Sequence, residues 1–283
     1  MEANHNKQRE AAPASSGFAW LLQSLTLLRL QAPRLLLIAV LMQLILSLTQ
    51  IPLLGVLVVL AVPALSAGIL EAFHVSGQGR LPAVSLLFKP LMSPPRSGRL
   101  MGLGALVFLV AVLSISVLMP PGSEAPDPEL MNRIQQGDME AMAQLDPNYL
   151  RRMAIALMIG IAISGTMSYF TIPLIWFQGQ KLTPALTAGL RALVRNWKAF
   201  LVLALGLALA SLPVAIIVGI LFSMSGSGGL VSALVMGMIM LLVLLYQMLL
   251  FGSQYCAFRD LFDPGDNRSR DQDDQDDDSQ LVA

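Results

Sequence analysis

Charged and apolar positions segregate along this chain rather than alternate. Four stretches carry no charged side chain, at residues 35–70, 100–123, 153–180 and 199–258. A helix needs about 20 apolar residues to cross about 30 Å of hydrocarbon. By that length the first and last stretches predict two helices each, and the middle two predict one each. The expected spans are 33–49, 52–70, 100–119, 153–177, 199–222 and 229–252. The fold class expected is therefore all-α, a polytopic membrane helical bundle of about six transmembrane helices. Residues 35–70 barely hold two crossings, with a turn at Thr49-Gln50-Ile51-Pro52 and Pro52 suited to a first helical turn. A re-entrant pair competes with that reading.

The connections carry a second pattern. Phe18, Leu21, Leu22, Leu25 and Leu28 share one helix face before the first span. Residues 79–89 and 180–191 share an outline of basic residue, Leu, Pro, apolar stretch and basic residue. On one reading the protein holds three repeats, each an interfacial amphipathic helix followed by a hairpin. On the other, these are ordinary connections started by proline. The third helix has the clearest stripe. Leu186, Leu190, Leu193 and Trp197 lie beside Arg191, Arg195 and Lys198. Such a helix lies flat in the headgroup layer with its cations on anionic phosphates, so these three cations are candidate lipid-headgroup contacts.

Net charge is zero, but its distribution has a direction. With six spans, fifteen of the eighteen basic residues fall on one side: Lys7, Arg9, Arg29 and Arg34; Arg80, Lys89, Arg96 and Arg99; Lys181, Arg191, Arg195 and Lys198; and Arg259, Arg268 and Arg270. The positive-inside rule makes that side, with both termini, cytoplasmic. Residues 120–152 form the sizeable outer loop, expected to hold a helical hairpin started at Asp127-Pro128-Glu129 and restarted at Asp138. Residues 1–16 read as a disordered cytoplasmic tail, 17–262 as the transmembrane domain and 263–283 as a disordered Asp-rich cytoplasmic tail. The polar start argues against a cleaved signal peptide. Trp20, Tyr149, Trp176, Trp197 and Tyr255 sit near span ends, as an aromatic belt requires.

Candidate chemistry is sparse. The lone Cys256 excludes an intramolecular disulfide, and His5 and His74 have no partners at ligand spacing. No metal, cofactor or catalytic residue is expected. Glu71 is the ionisable group nearest membrane depth, and pairing with a nearby Arg at the surface is the expectation for it. Gln43, Tyr246 and Gln247 are candidate intramembrane polar contacts, expected to bridge helices. Gly160 with Ser164 and Gly206 with Ala210 offer small faces for close packing. Pro63, Pro173 and Pro213 interrupt three spans.

Several short runs resemble a bacterial family of multi-pass inner-membrane proteins, the BPSS-type family. They are Leu27-Leu28-Arg29 with Pro33, Ile51-Pro52-Leu53-Leu54-Gly55, Val62-Pro63-Ala64-Leu65-Ser66-Ala67-Gly68, Ile172-Pro173-Leu174, Leu182-Thr183-Pro184-Ala185-Leu186, Arg195-Asn196-Trp197 and Ala257-Phe258-Arg259-Asp260-Leu261-Phe262. The resemblance covers roughly 17–262 and implies a bacterial cytoplasmic-membrane location. It implies no activity or site residue. From the residues themselves, the expectation is a non-enzymatic protein that organises, assembles or regulates through partners. Those partners are membrane lipids, other membrane proteins or a second copy, with no nucleic acid. A transporter or channel for a neutral or lipidic solute is the alternative.

Overall fold

The computed structural model describes residues 11–118, 127–135, 140, 144–224 and 229–262. Its helices are α1 (Ser16–Ser47), α2 (Pro52–Gly77), α3 (Arg96–Leu118), α4 (Pro128–Gln135), α5 (Pro147–Gln178), α6 (Leu182–Arg195), α7 (Trp197–Met224) and α8 (Gly229–Phe262). No β-strand occurs among the described residues. Six of the helices are long and apolar enough to cross a membrane. The chain is an all-α bundle and a membrane protein.

Residues 35–70 fall in two helices, the C-terminal part of α1 and most of α2. A single 3-10 turn, Leu48–Gln50, separates them, and Pro52 opens α2 as expected. Most spans run longer than the charge-free stretches. α3 starts at Arg96, α5 at Pro147 and α7 at Trp197, while α8 continues to Phe262. Charged residues at helix ends reach polar surroundings without ending the helix, so charge marks the edge of the hydrocarbon and not of the helix. Asp146 caps α5 by accepting from the Asn148 N–H at 3.0 Å, and Asp127 accepts from the Glu129 N–H ahead of α4 at 3.0 Å. The second outer helix expected at Asp138 lies outside the described residues, as do residues 1–10 and the Asp-rich tail.

The repeat reading meets three different outcomes. The first amphipathic segment is a helix over residues 16–30, set off from the span that follows it by a kink at the non-helical Gln31, two positions before Pro33. The face it buries is Gly17, Trp20, Leu21, Ser24 and Leu28, whereas Phe18 and Leu22 are exposed. The second segment is only a 3-10 turn, Val84–Leu87. The third does form a helix, α6, but it ends at Asn196. Trp197 and Lys198 therefore begin α7 and do not continue the stripe.

Close approach, not hydrophobicity alone, positions the helices. A Cβ on Gly17 would collide with the Ala199 carbonyl of α7, and one on Gly104 with the Leu60 carbonyl of α2. Gly68 faces the Leu87 backbone, and Gly252 faces the Ser24 hydroxyl of α1. The two glycines singled out by sequence also pack, Gly160 against Ser114 of α3 and Gly206 against Leu21 of α1. Small residues at such crossings let backbones meet when lipid is as apolar as leucine.

Burial is uneven along the bundle. The core gathers near the N-terminal ends of α1, α3 and α7 and the C-terminal ends of α2, α5 and α8, around Trp20, Leu65, Phe73, Leu100 and Phe170. At the opposite end Val117, Ile161, Ile216 and Phe222 are each at least 62% exposed. Of the expected aromatic belt, Trp20, Trp176 and Tyr255 are buried core members instead, and Trp197 alone of the three tryptophans faces outward.

Gly104→Ala should lower thermal stability in detergent by about 1–3 kcal/mol, the usual cost of overpacking. Gly237→Ala, where nothing lies within 4 Å of the added carbon, should be neutral or stabilising by up to about 1 kcal/mol. Equal unfolding midpoints for the two variants would show that close backbone contact does not hold the bundle.

Candidate lipid-facing site

Polar groups at the densely packed end include some whose partners are buried in the bundle and others carried on its exposed surface. Glu71 on α2 belongs to the first. Its Oε1 pairs with Lys89 Nζ and its Oε2 accepts from Trp176 Nε1 on α5 at 2.9 Å. This corrects the expected surface pairing with Arg: the carboxylate is only 8% exposed, and a buried anion needs both a cation and a donor. Arg96 stacks over the Trp176 ring at 5.4 Å. Arg99 donates to the Gly179 carbonyl, where α5 ends in a left-handed glycine at φ 66°. Three of the basic residues that mark this end are thus structural.

His74 is also not isolated. It lies in the last turn of α2, with Nδ1 3.1 Å from the Tyr255 hydroxyl and Nε2 3.0 Å from Gln78 Nε2. A cavity of about 240 Å³ opens here between His74, Phe177, Tyr255, Phe258, Arg259 and Phe262. Nearby, Trp20 Nε1 donates to Asp260 Oδ2 at 2.8 Å and ties α1 to α8. Among the described residues no three metal-ligating side chains cluster.

Deeper in the bundle, the structure brings Gln43 and Gln247 together. Gln43 Nε2 on α1 donates to Gln247 Oε1 on α8 at 2.8 Å. Tyr246 points elsewhere, its hydroxyl donating to the Leu207 carbonyl of α7 at 3.2 Å. One structural amide, that of Gln254, was missed by sequence reading. Proline at 173 has no N–H, so it leaves the Tyr169 carbonyl one turn earlier without its helical partner. Gln254 Nε2 on α8 donates to that carbonyl at 2.6 Å. A glutamine on a neighbouring helix is one way to re-satisfy such a group in hydrocarbon. The signal was present in the sequence as Pro173 and its carbonyl four residues back, but not the identity of the donor.

The candidate headgroup cations are among those on the exposed surface. Arg191 and Arg195 are exposed on α6, and Lys198 is exposed on α7 with its Nζ 6.0 Å from the centroid of the outward-facing Trp197 ring. The break between the two helices is fixed by Asn196. Its Oδ1 accepts from the Ala12 N–H at 2.8 Å and its Nδ2 donates to the Ala192 carbonyl at 2.7 Å. Ala12 is therefore tied to the bundle, within the segment expected to be a free tail.

Beside this break two lateral clefts open between α5, α6, α7 and α8. One, of about 460 Å³, runs between Tyr169, Phe200, Leu207 and Gln247. The other, of about 520 Å³, shares Tyr169 and Phe200 and reaches Val194 and Trp197. Their walls are overwhelmingly apolar and lie on the flank of the bundle. Such an arrangement can hold a hydrocarbon chain.

Gln254→Leu should cost about 1–3 kcal/mol of stability by orphaning the Tyr169 carbonyl. In a Pro173→Ala background, which restores a helical N–H, the same change should cost clearly less. A thermal-unfolding double-mutant cycle reads the coupling, and additive effects would break the proposed link. Comparison with protein-family models, curated proteins and solved structures finds no match to this chain.

Proposed function

We propose that this membrane protein is a non-enzymatic organiser of its bilayer, acting through lipid or protein partners engaged at its basic end. The location proposed is a bacterial cytoplasmic membrane with both termini cytoplasmic. Charge asymmetry supports the orientation, and the likeness to the BPSS-type family supports the location. One observation carries the functional reading. Arg191, Arg195 and Lys198 are exposed side by side around an exposed Trp197, whereas Arg96 and Arg99 are half-buried against Trp176 and the Gly179 carbonyl. Cations in that position attract anionic lipid headgroups, each adding on the order of 1 kcal/mol at the membrane surface.

A carrier of a neutral or lipidic solute is the second reading, and the lateral clefts favour it. Against it, Gln43, Gln247 and Tyr246 bond to neighbouring helices rather than facing one shared path. Charged groups at membrane depth, which mark many ion-coupled carriers, are absent from residues 199–258.

Native mass spectrometry of gently extracted protein tests the proposal. Bound anionic lipid or a protein subunit is the expected result. Replacing Arg191, Arg195 and Lys198 together with Gln should lower retained anionic lipid about tenfold. The wild-type advantage should shrink in high salt, where screening acts within about 3 Å. Unchanged retention in the triple variant would reject the headgroup role.

A further inference from the structure

We propose that the adjoining clefts between α5, α6, α7 and α8 are a binding site for a single anionic glycerophospholipid, with one acyl chain against Phe200, Leu203 and Leu207 and the phosphate at Arg195 and Lys198. The proposal rests on the lipid-partner reading above and gives that partner a place and a chemistry.

Depth is the first argument. Trp197 opens α7 and Leu207 lies ten residues further along the same helix, about 15 Å at 1.5 Å per residue. That is half of a hydrocarbon core about 30 Å thick. The clefts therefore extend from the basic surface to the middle of the bilayer, the depth of one leaflet. Their volumes, about 460 and 520 Å³, fall within the range of about 300–1,000 Å³ usual for small-molecule sites.

The walls argue for a chain over a partner helix. Helix association in lipid relies on small residues that let backbones approach. Here the shared wall is Tyr169 and Phe200, with Phe251 beside them. Bulky rings leave a slot suited to a flexible chain and keep out a rod about 10 Å across.

Charge fixes the headgroup. Residues 182–224, the whole of α6 and α7, contain no acidic residue, and their only charged side chains are Arg191, Arg195 and Lys198. Val194 and Trp197 line the mouth of the cleft immediately beside two of these. An indole at that level is a headgroup-layer anchor. Asn196, bonded on both sides, fixes the α6–α7 corner and therefore the distance between cation and cleft.

The test uses the full chain in vesicles of phosphatidylcholine and phosphatidylglycerol in equal parts. Phospholipids brominated along one acyl chain quench nearby indoles. Trp20 and Trp176 are 1% and 3% exposed while Trp197 is 58% exposed, so quenching reports chiefly on Trp197. Brominated phosphatidylglycerol should quench several-fold more than brominated phosphatidylcholine at equal mole fraction. Ala204→Phe or Leu207→Phe, each filling the cleft, should abolish that preference and lower lipid retained in native mass spectra about tenfold. R195Q/K198Q should do the same. If the cation variant loses lipid and both cleft-filling variants keep it, the cleft assignment falls while the lipid-partner reading stands. Equal quenching by the two headgroups would overturn the anionic assignment. Retention of a second copy or another protein in place of lipid would overturn the site, and retention of neither would overturn the broader reading as well.

Discussion

Hydrocarbon offers no hydrogen bonds, so every polar group that enters it must be satisfied within the protein. The bundle answers that constraint largely through α8. Gln247 accepts from Gln43 of α1, and Gln254 donates to the α5 carbonyl freed by Pro173. The Leu249 carbonyl accepts from Ser24 of α1, and the Tyr246 hydroxyl donates to α7. At its end Tyr255 meets His74 of α2, and Asp260 meets Trp20. One helix thus makes polar contacts with four others, and the arrangement of the bundle follows from its sequence of amides and hydroxyls. The flanking glycines act with it, since Gly252 brings α8 close enough for the Ser24 bond to form.

Much of the fold was legible in the chain. Six spans follow from charge-free length, and the Pro52 and Asp127 helix starts follow from local chemistry. In the N-terminal segment Leu21 and Leu28 of the expected face are buried, but Phe18 and Leu22 are exposed, for a physical reason. In water an apolar stripe identifies the buried face, but next to lipid leucine is at home on either side. The buried face of residues 17–28 is instead marked by Gly17 and Ser24, whose small size permits contact. The repeat reading failed at its second unit, where only a 3-10 turn forms. A basic–Leu–Pro outline fixes where a helix can start, and the second copy, with prolines at 82, 90, 94 and 95, cannot continue one.

The candidate site was only partly legible. Gln43 and Gln247 stand out individually, yet 204 positions separate them and nothing local pairs them. Glu71 was noticed, but its Lys89 and Trp176 partners come from a connection and another helix. The cations at 191, 195 and 198 were visible as a periodic run, although a helix break at Asn196 divides them. The cleft itself could not be read in advance, because its walls come from separate helices and exist only after they pack.

The uneven burial along the bundle has a mechanical consequence. Near the basic end the helices are joined by core side chains. Toward the other end α7 has only 6% of its most apolar stretch buried, although α3 and α5 still meet there at Ser114 and Gly160. In a bilayer, acyl tails or another protein must cover that exposed surface. The two ends therefore differ in what holds them: a firmly packed core at one, and at the other an α7 whose neighbours are largely whatever surrounds the protein.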